Sequence, residues 1–422
     1  MSTTETHRAI DAVWRIESAR LIAGLARIVR DVGLAEELAQ DALVAALEKW
    51  PQSGIPDNPG AWLMATAKHR ALDHFRRAKL LERKHQELGR ELKSQQEAAV
   101  ADFDFSEQGD IEDDLLRLVF VSCHPVLSTD ARVALTLRLL GGLTTTEIAR
   151  AYLVPEPTIA QRIVRAKRTL SDAKVPFEVP AAQDRAARLS SVIEVIYLIF
   201  NEGYSATAGS DWMRPDLCAD ALRLGRMLAE LTPNEAEVHG LVALMEIQSS
   251  RFAARTTPEG EPILLLEQNR ALWDQLLIRR GLAALQRAQR LDLLGPYVLQ
   301  AAIAACHARA NTAEETNWPR IADLYAQLAA LAPSPIVQLN RAVAVSMANS
   351  PAAGLEIVDA LANEPALKKY HLLPAVRGDF LAKLGRFSEA REEFARAASL
   401  TSNARERELL LARAEKVAAG AT

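Results

Sequence analysis

The chain has 422 residues, a formal net charge of −4 and three cysteines. This length predicts two to four domains with an ample core. A composition that is 49% hydrophobic but only 5% aromatic, and rich in Ala and Leu, predicts a mostly helical protein. The slightly negative charge excludes a general polyanion binder, so any contact with nucleic acid has to come from local basic patches.

The cysteines and the apolar runs bear on where the protein works. Cys123, Cys218 and Cys306 lie far apart and belong to no motif. This spacing predicts no disulfide framework and a reducing, cytoplasmic location. The N-terminus has no apolar signal core, and no apolar run approaches the roughly 18 residues of a membrane span, so we expect no membrane partner.

Residues 8–50 are predicted to form two helices. The second helix, from Leu34 to Trp50, is expected to turn Leu38, Leu43 and Leu47 inward. Its other side carries an acidic patch in which residues four apart share a face. The patch consists of Glu36, Glu37, Gln40 and Asp41. Such a patch is either a solvated face or a docking surface for a basic partner.

A basic helix is predicted after the turn-rich loop 51–60. Asn58 suits the N-cap and Pro59 the first helical position. Between Lys68 and Lys84 there are seven Lys or Arg and two acids. A basic helix led by an aromatic residue suits single-stranded or melted DNA, because cations hold phosphates and a ring accepts an unstacked base. The candidate contacts are Trp62, Lys68, His69, Arg70, Arg76 and Arg77.

Two alternatives apply to this basic helix. Plain core packing is an equally good explanation for Trp62. The residues Met64, Ala67, Ala71 and Phe75 are predicted to form its buried stripe. His69 and His74 have no carboxylate or thiol partner at ligand spacing, so no metal site is expected.

Residues 94–114 hold eight acids and no Lys or Arg. This composition predicts a flexible acidic linker between two basic modules. A solvated linker is the simpler interpretation, and a nucleic-acid mimic that lies in a basic groove is the alternative.

Residues 115–175 are predicted to place two helices beneath a helix-turn-helix. Thr144 and Glu147 have capping-box spacing, and Pro155 and Pro157 end one helix and begin another. The second helix has Ile159, Ile163, Ala166 and Leu170 on one side. Its other side carries only amides, hydroxyls and cations, which suits a reader of the DNA major groove. The candidate contacts are Thr158, Gln161, Arg162, Arg165, Lys167 and Arg168.

The C-terminal half is predicted to begin after the proline-containing stretch 175–183. Residues 184–290 are expected to form a helical connecting domain, in which Glu202 belongs either to a capping turn or to a ligand contact. Residues 291–418 show a repeat in which Pro296 and Pro335 are 39 apart. This spacing predicts helical hairpins of tetratricopeptide-like type with a protein-binding surface. No phosphate loop or catalytic constellation is evident, so we expect a protein that is not an enzyme and has no cofactor.

These parts, in this order, resemble a bacterial sigma factor of the extracytoplasmic-function class. AEELAQDALVAALEKW resembles the polymerase-binding helix of sigma region two, and NPGAWLMATAKHRALDHFRRAK resembles its promoter-melting helix. LTTTEIARAYLVPEPTIAQRIVRAKRTL resembles the helix-turn-helix of sigma region four. The continuation for about 245 residues resembles a subgroup with a tetratricopeptide-like C-terminal extension.

The resemblance implies an all-α protein with two small sigma modules, an acidic linker and a helical-repeat domain. Region two would span 8–93, the linker 94–114 and region four 115–175. The partners would be core RNA polymerase at the acidic patch, the −10 strand at the basic helix and the −35 duplex at the helix-turn-helix. The C-terminal repeats would bind another protein or a ligand. The alternative function is an operator-binding helix-turn-helix regulator with a repeat sensor domain.

Overall fold

The computed structural model of the protein describes residues 3–88, 111–152, 154–206, 208–209, 212–291 and 294–419. Within these ranges it has eighteen α-helices and only two strands of two residues each, which confirms the all-α prediction. The chain divides into two compact units, Met1–Val195 and Ile196–Thr422.

Unit 1 is a bundle of helices with two groups of neighbours. The first helix packs against the second, third and fourth, and the fifth packs against the sixth and seventh. Its helices are α1 (Thr3–Val29), α2 (Val32–Ser53), α3 (Pro59–Leu88), α4 (Ile111–Ser122), α5 (Thr129–Leu139), α6 (Thr145–Tyr152) and α7 (Glu156–Asp172), while α8 (Ala182–Tyr204) begins in this unit and ends in the next.

The core of the first helices follows the predicted periodicity only in part, and the predicted inward residues Leu43 and Phe75 are half-buried. Leu38 and Trp50 are buried as expected, but Leu47 is 37% exposed, so its predicted inward position is wrong. On α3, Ala67 and Ala71 are fully buried, and Leu63 fills the core position expected for Met64, which is only half-buried. The helical period predicts which residues share a face, but it does not fix which of two neighbouring apolar residues points into the core. Leu63 therefore takes the core position that was expected for Met64.

The acidic linker falls mainly in the range 89–110, outside the described residues. Its last residues, 111–114, form the first turn of α4. The Asp114 carboxylate there is buried and accepts hydrogen bonds from Arg27 at 3.0 Å and from Arg117 at 2.7 Å. This acid therefore belongs to the packed bundle.

The first half of α8 packs on unit 1. Arg188 donates to the carbonyl of Phe120 at 3.1 Å, and the Ser191 hydroxyl donates to the carbonyl of Cys123 at 3.0 Å. Arg132 lies 3.5 Å from the Glu194 carboxylate. Unit 1 thus continues to Val195, beyond the stretch 175–183 where the prolines had suggested a domain boundary.

Unit 2 consists of successive helices in which each one from Pro296 onward packs against the next. Its helices are α9 (Pro215–Leu231), α10 (Ala236–Ser249), α11 (Gln275–Arg290), α12 (Pro296–Arg309), α13 (Trp318–Leu331), α14 (Pro335–Ala348), α15 (Pro351–Ala360), α16 (Leu372–Lys383), α17 (Phe387–Leu400) and α18 (Ala404–Ala419). Short 3-10 helices occupy Phe252–Ala254, Leu265–Glu267, Arg270–Leu272 and Pro365–Leu367.

The prolines of the predicted repeat begin helices because a proline suits the first helical turn. Pro296 opens α12 and Pro335 opens α14. Pro374 lies in the first turn of α16, so the spacing of 39 residues marks successive helical pairs. The assignment of these pairs to the tetratricopeptide class stays a prediction.

The last helices of unit 2 contact its beginning. Strand β1 (Ala208–Gly209) pairs in parallel with β2 (Ser402–Asn403). The Asn403 side chain donates to the carbonyl of Ala206 at 3.1 Å. Nearby, the Glu202 carboxylate forms an ion pair with Arg214, which gives this acid a structural partner. The hydrogen bond between Asn403 and Ala206 joins residues 197 positions apart in the sequence.

Candidate polymerase and DNA interfaces

The helix-turn-helix forms as its capping residues predict. The Thr144 amide donates to the Glu147 carboxylate at 2.7 Å, and the Glu147 amide donates to the Thr144 hydroxyl at 3.1 Å. Burial raises the pKa of Glu147, but the hydrogen bonds that its carboxylate accepts from the Thr144 amide and hydroxyl, together with the Arg15 guanidinium, hold the pKa below its usual value. The reciprocal bonds fix the start of α6.

Helix α7 buries one face and exposes the other. Ile159, Ile163, Ala166 and Leu170 are buried, as predicted from their spacing. The exposed face carries four of the six predicted DNA contacts. These residues are Thr158, Gln161, Arg165 and Arg168. A helix with this face is able to enter the major groove with its hydrogen-bonding side chains toward the bases.

The other two predicted contacts on α7 are half-buried and already paired. Arg162 lies 3.1 Å from the Asp130 carboxylate of α5. Lys167 forms an ion pair with Glu36 of α2. Neither cation is therefore as available to DNA in this structure as the sequence suggested.

A cavity of about 370 Å³ lies between α7 and the start of α5. Thr158, Gln161, Arg162 and Arg165 line it, together with Asp130. Val164 was not among the contacts predicted from the sequence, and its side chain is 64% exposed on the same helix. An exposed valine beside amide and guanidinium groups gives this face an apolar contact as well as polar ones.

Helix α3 begins where the sequence predicted. The Asn58 side chain accepts from the Ala61 amide at 3.0 Å, as expected for an N-cap. His69, Arg76 and Arg77 are exposed, whereas Lys68 and Arg70 are half-buried.

The Trp62 ring at the start of α3 packs edge-on against Trp50. The two ring centroids are 5.3 Å apart, and Trp62 is half-buried. The packing role that the sequence left open is thus observed, and the exposed part of the ring stays available to a partner. Arg70 lies 3.1 Å from Asp41, so a predicted DNA contact and a predicted polymerase contact are paired with each other.

The acidic patch on α2 is not a single exposed face. Glu37 and Asp41 are exposed, and Gln40 is half-buried. Glu36 is only 2% exposed, and its carboxylate accepts from the Arg138 guanidinium at 2.6 Å. The prediction that Glu36 faces a partner together with Glu37 and Asp41 therefore does not hold in this structure.

The exposed face of α2 also includes residues outside the predicted acidic patch. Val44 is 49% exposed, and Leu47 and Glu48 are exposed beside it. Glu37, Asp41, Val44 and Glu48 are spaced 4, 3 and 4 apart, so they share one side of the helix. This face is both acidic and apolar, and it differs from the four-residue patch predicted from the sequence.

The described residues also bear on membrane spans and metal sites. None of the described helices combines the length and apolarity that a bilayer crossing needs. Across the same ranges, no group of three or more His, Cys, Asp and Glu side chains is placed to hold a metal ion.

Family models match three parts of the chain. Residues 16–80 match sigma-70 region 2, and residues 117–170 match sigma-70 region 4. Residues 188–289 match a family of unknown function, DUF6596. The two matched sigma regions contain the acidic patch, the basic helix and the helix-turn-helix.

Three similar proteins cover different shares of the chain. An uncharacterised protein of Rhizobium meliloti is 43% identical over 393 residues, which are 91% of this chain and 90% of that protein. The probable ECF RNA polymerase sigma factor SigI of Mycobacterium tuberculosis is 27% identical over 42% of this chain and 60% of its own length. The probable RNA polymerase sigma-C factor of Mycobacterium bovis is 29% identical over 33% of this chain and 70% of its own length.

The helix-turn-helix, the basic helix and the two family matches define a sigma factor. The chain belongs to the extracytoplasmic-function class of the sigma-70 family, and it carries a C-terminal extension beyond region four.

Proposed function

We propose that this sigma factor recruits core RNA polymerase to promoters, reads the −35 and −10 elements and promotes DNA melting. The proposal rests on helix α7, which exposes polar and cationic side chains on one face and buries apolar side chains on the other. Catalysis of RNA synthesis belongs to the polymerase, and the proposed place of action is the cytoplasm.

The −35 element is assigned to the exposed face of α7. Gln161 suits an adenine edge, Arg165 suits a guanine edge, and the exposed Val164 suits a thymine methyl group. Thr158 and Arg168 are suited to phosphates because a hydroxyl and a guanidinium both donate hydrogen bonds. Arg162 and Lys167 would join them only after leaving their carboxylate partners.

The −10 element is assigned to α3. Its exposed His69, Arg76 and Arg77 offer donors to the phosphates of a single strand. Lys68 and Arg70 lie at the edge of this surface. The half-buried Trp62, held in place by Trp50, would stack on a base that has left the duplex.

Core polymerase is assigned to the exposed face of α2. Glu37, Asp41 and Glu48 supply charge, and Val44 supplies apolar area, which is the combination found where an interface core meets its polar rim. Gln40 borders this face and Glu36 is excluded from it.

The test is promoter-specific run-off transcription with purified core polymerase, on the region upstream of the protein's own operon. The double variant Glu37→Gln, Asp41→Asn should abolish the transcript. Glu230→Gln, Asp323→Asn removes the same charge from exposed positions of α9 and α13 and is the matched control. DNA binding without transcript, unaffected by the first pair, would instead indicate an operator-binding regulator.

The extension is proposed to be a regulatory or interaction domain, with a connecting part at 184–290 and helical repeats at 291–418. A truncation within 175–183 would remove the part of α8 that packs on unit 1. The full chain carrying Phe394→Ala is a better test, because Phe394 is buried in the core cluster formed by the last helices. Unchanged transcription from a protein whose unit 2 is shown to be unfolded would contradict a regulatory role.

A further inference from the structure

A deeply buried acid of unit 1 lies where α2 meets α5 and α7. Glu36 is 2% exposed, and its two carboxylate oxygens face two cations from region four. Arg138 donates to one oxygen at 2.6 Å, and Lys167 forms an ion pair with the other. The Gln40 amide also donates to this carboxylate. A carboxylate this deeply buried is tolerated because its charge is neutralised on both sides.

The cationic partners are fixed by contacts of their own. The Arg138 guanidinium also donates to the carbonyl of Leu143 at 3.0 Å, which ties α5 to the turn before α6. Lys167 projects from α7, and its aliphatic chain lies close to Gly33, where an added Cβ would be 3.6 Å from the Lys167 Cδ atom. The three charged side chains therefore join α2 to two different helices of region four.

Further polar contacts link the same two modules. Arg15 of α1 lies 3.0 Å from Glu147 of α6. The Ser171 hydroxyl of α7 donates to the Asp31 carboxylate at 3.3 Å. Region two and region four are thus held together by ion pairs and hydrogen bonds at several positions, and the Glu36 carboxylate in this set is buried.

This arrangement conflicts with simultaneous reading of two promoter elements. Elements centred 25 base pairs apart, as the names −35 and −10 denote, are separated by about 85 Å of duplex at about 3.4 Å per base pair. A compact unit the size of unit 1 is only about 40 Å across. The two modules therefore have to separate before α3 and α7 reach both elements, and the Glu36 cluster has to break.

We propose that Glu36, Arg138 and Lys167 form an ionic latch that holds region two against region four in a closed, inactive arrangement. Binding of core polymerase to α2 would open the latch and release Lys167 toward DNA. The inactivity of the closed arrangement rests on the proposed sigma-factor function. If Glu36 belongs to the latch, its removal should raise the amount of transcript. If Glu36 contacted the polymerase instead, its removal should lower the amount of transcript.

Proximity of the modules is measured by cross-linking in the full chain. Asp31→Cys and Ser171→Cys place two thiols where the side chains are in contact, and Cys306→Ser removes a half-buried native thiol. A thiol-cleavable bismaleimide then bridges the two positions. Glu36→Gln should lower the yield of bridged protein several-fold, because the amide cannot neutralise two cations. Arg138→Gln should lower it similarly from the other module, and Glu37→Gln should leave it unchanged.

Activity is measured on the same proteins by run-off transcription at limiting core polymerase. Glu36→Gln should raise the transcript, since more of the protein is already open and apparent affinity rises with the competent fraction. Bridged protein should be inactive and should recover when the bridge is cleaved. The unbridged double-cysteine protein is the control for the substitutions themselves.

Three outcomes would overturn the latch: a fall in transcript with Glu36→Gln, unchanged bridging yields in both latch variants, or full activity of the bridged protein. Absence of transcript from the cleaved and the unbridged protein would count against the proposed function instead. The bridging yields would still decide whether the three side chains hold the modules together.

Discussion

Arg165 offers the sharpest test of how α7 meets DNA. Among the described residues, no carboxylate lies within 4 Å of its guanidinium, whereas Arg168 has Asp172 at 3.4 Å. An exposed ion pair is worth about 0–1 kcal/mol, which a paired arginine gives up when it turns to DNA. Arg165 has no ion pair to give up within the described ranges, so the loss of binding free energy in Arg165→Ala should equal the full contribution of its contact with DNA. We expect a loss of about 1–3 kcal/mol for a base-edge contact, or about 5- to 150-fold in Kd.

The assay is fluorescence anisotropy with a duplex containing the −35 sequence and with a scrambled duplex, each at several salt concentrations. A base contact predicts that Arg165→Ala weakens binding to the first duplex far more than to the second. A phosphate contact would weaken both alike and lower the salt slope by about one. Arg287→Ala, on the exposed side of α11, removes the same charge outside region four. If Arg165→Ala lost no more affinity than this control, the assignment of the α7 face would be refuted.

Three further predictions concern stability. Thr144→Ala removes the hydroxyl that caps α6 and should lower the free energy of unfolding by about 1 kcal/mol. The adjacent control in urea melts is Thr145→Ala, which loses only an exposed 3.3 Å hydrogen bond to Glu156 and should cost less. Burial and two neighbouring arginines lower the pKa of His307 to about 4. Protonation thus favours the unfolded chain, and stability is complete above about pH 6.5 and falls by about 3 kcal/mol at pH 4. His307→Gln should flatten this dependence, and an unchanged difference between melts at pH 7 and pH 4 would contradict the argument. Phe394→Ala should lower the free energy of unfolding by about 3–5 kcal/mol because the ring is buried. Phe387→Ala, at a half-buried position, is the control and should lower it less. Equal shifts of the two variants in thermal melts would show that the core is elsewhere.

Local patterns determined much of this protein from the sequence alone. The capping box at Thr144 and Glu147 and the buried stripe of α7 were both predicted correctly. The prolines at 296 and 335 marked the beginnings of helices. These features depend on residues three or four apart or on the fixed backbone of proline, so their spacing is visible in the sequence.

The boundary of the first unit was less visible. The prolines at 175–183 suggested a division, but the first half of α8 packs on α4 and α5. The exposure of Val164 and Leu47 was likewise not predicted from the sequence. A helical period shows which residues share a face, and only the neighbouring helices decide how much of that face is covered.

The role of the charged residues was decided by tertiary structure. Spacing placed Glu36 in one patch with Glu37 and Asp41, and it placed Lys167 in one set with Arg165 and Arg168. In the fold Glu36 meets Arg138, 102 residues later in the chain, and it also meets Lys167. An ion pair between distant residues leaves no periodic trace in the sequence, and its burial depends on packing that no single helix specifies. The sequence by itself therefore determined the helices and the class of protein, while the tertiary structure decided which charges are free to meet a partner.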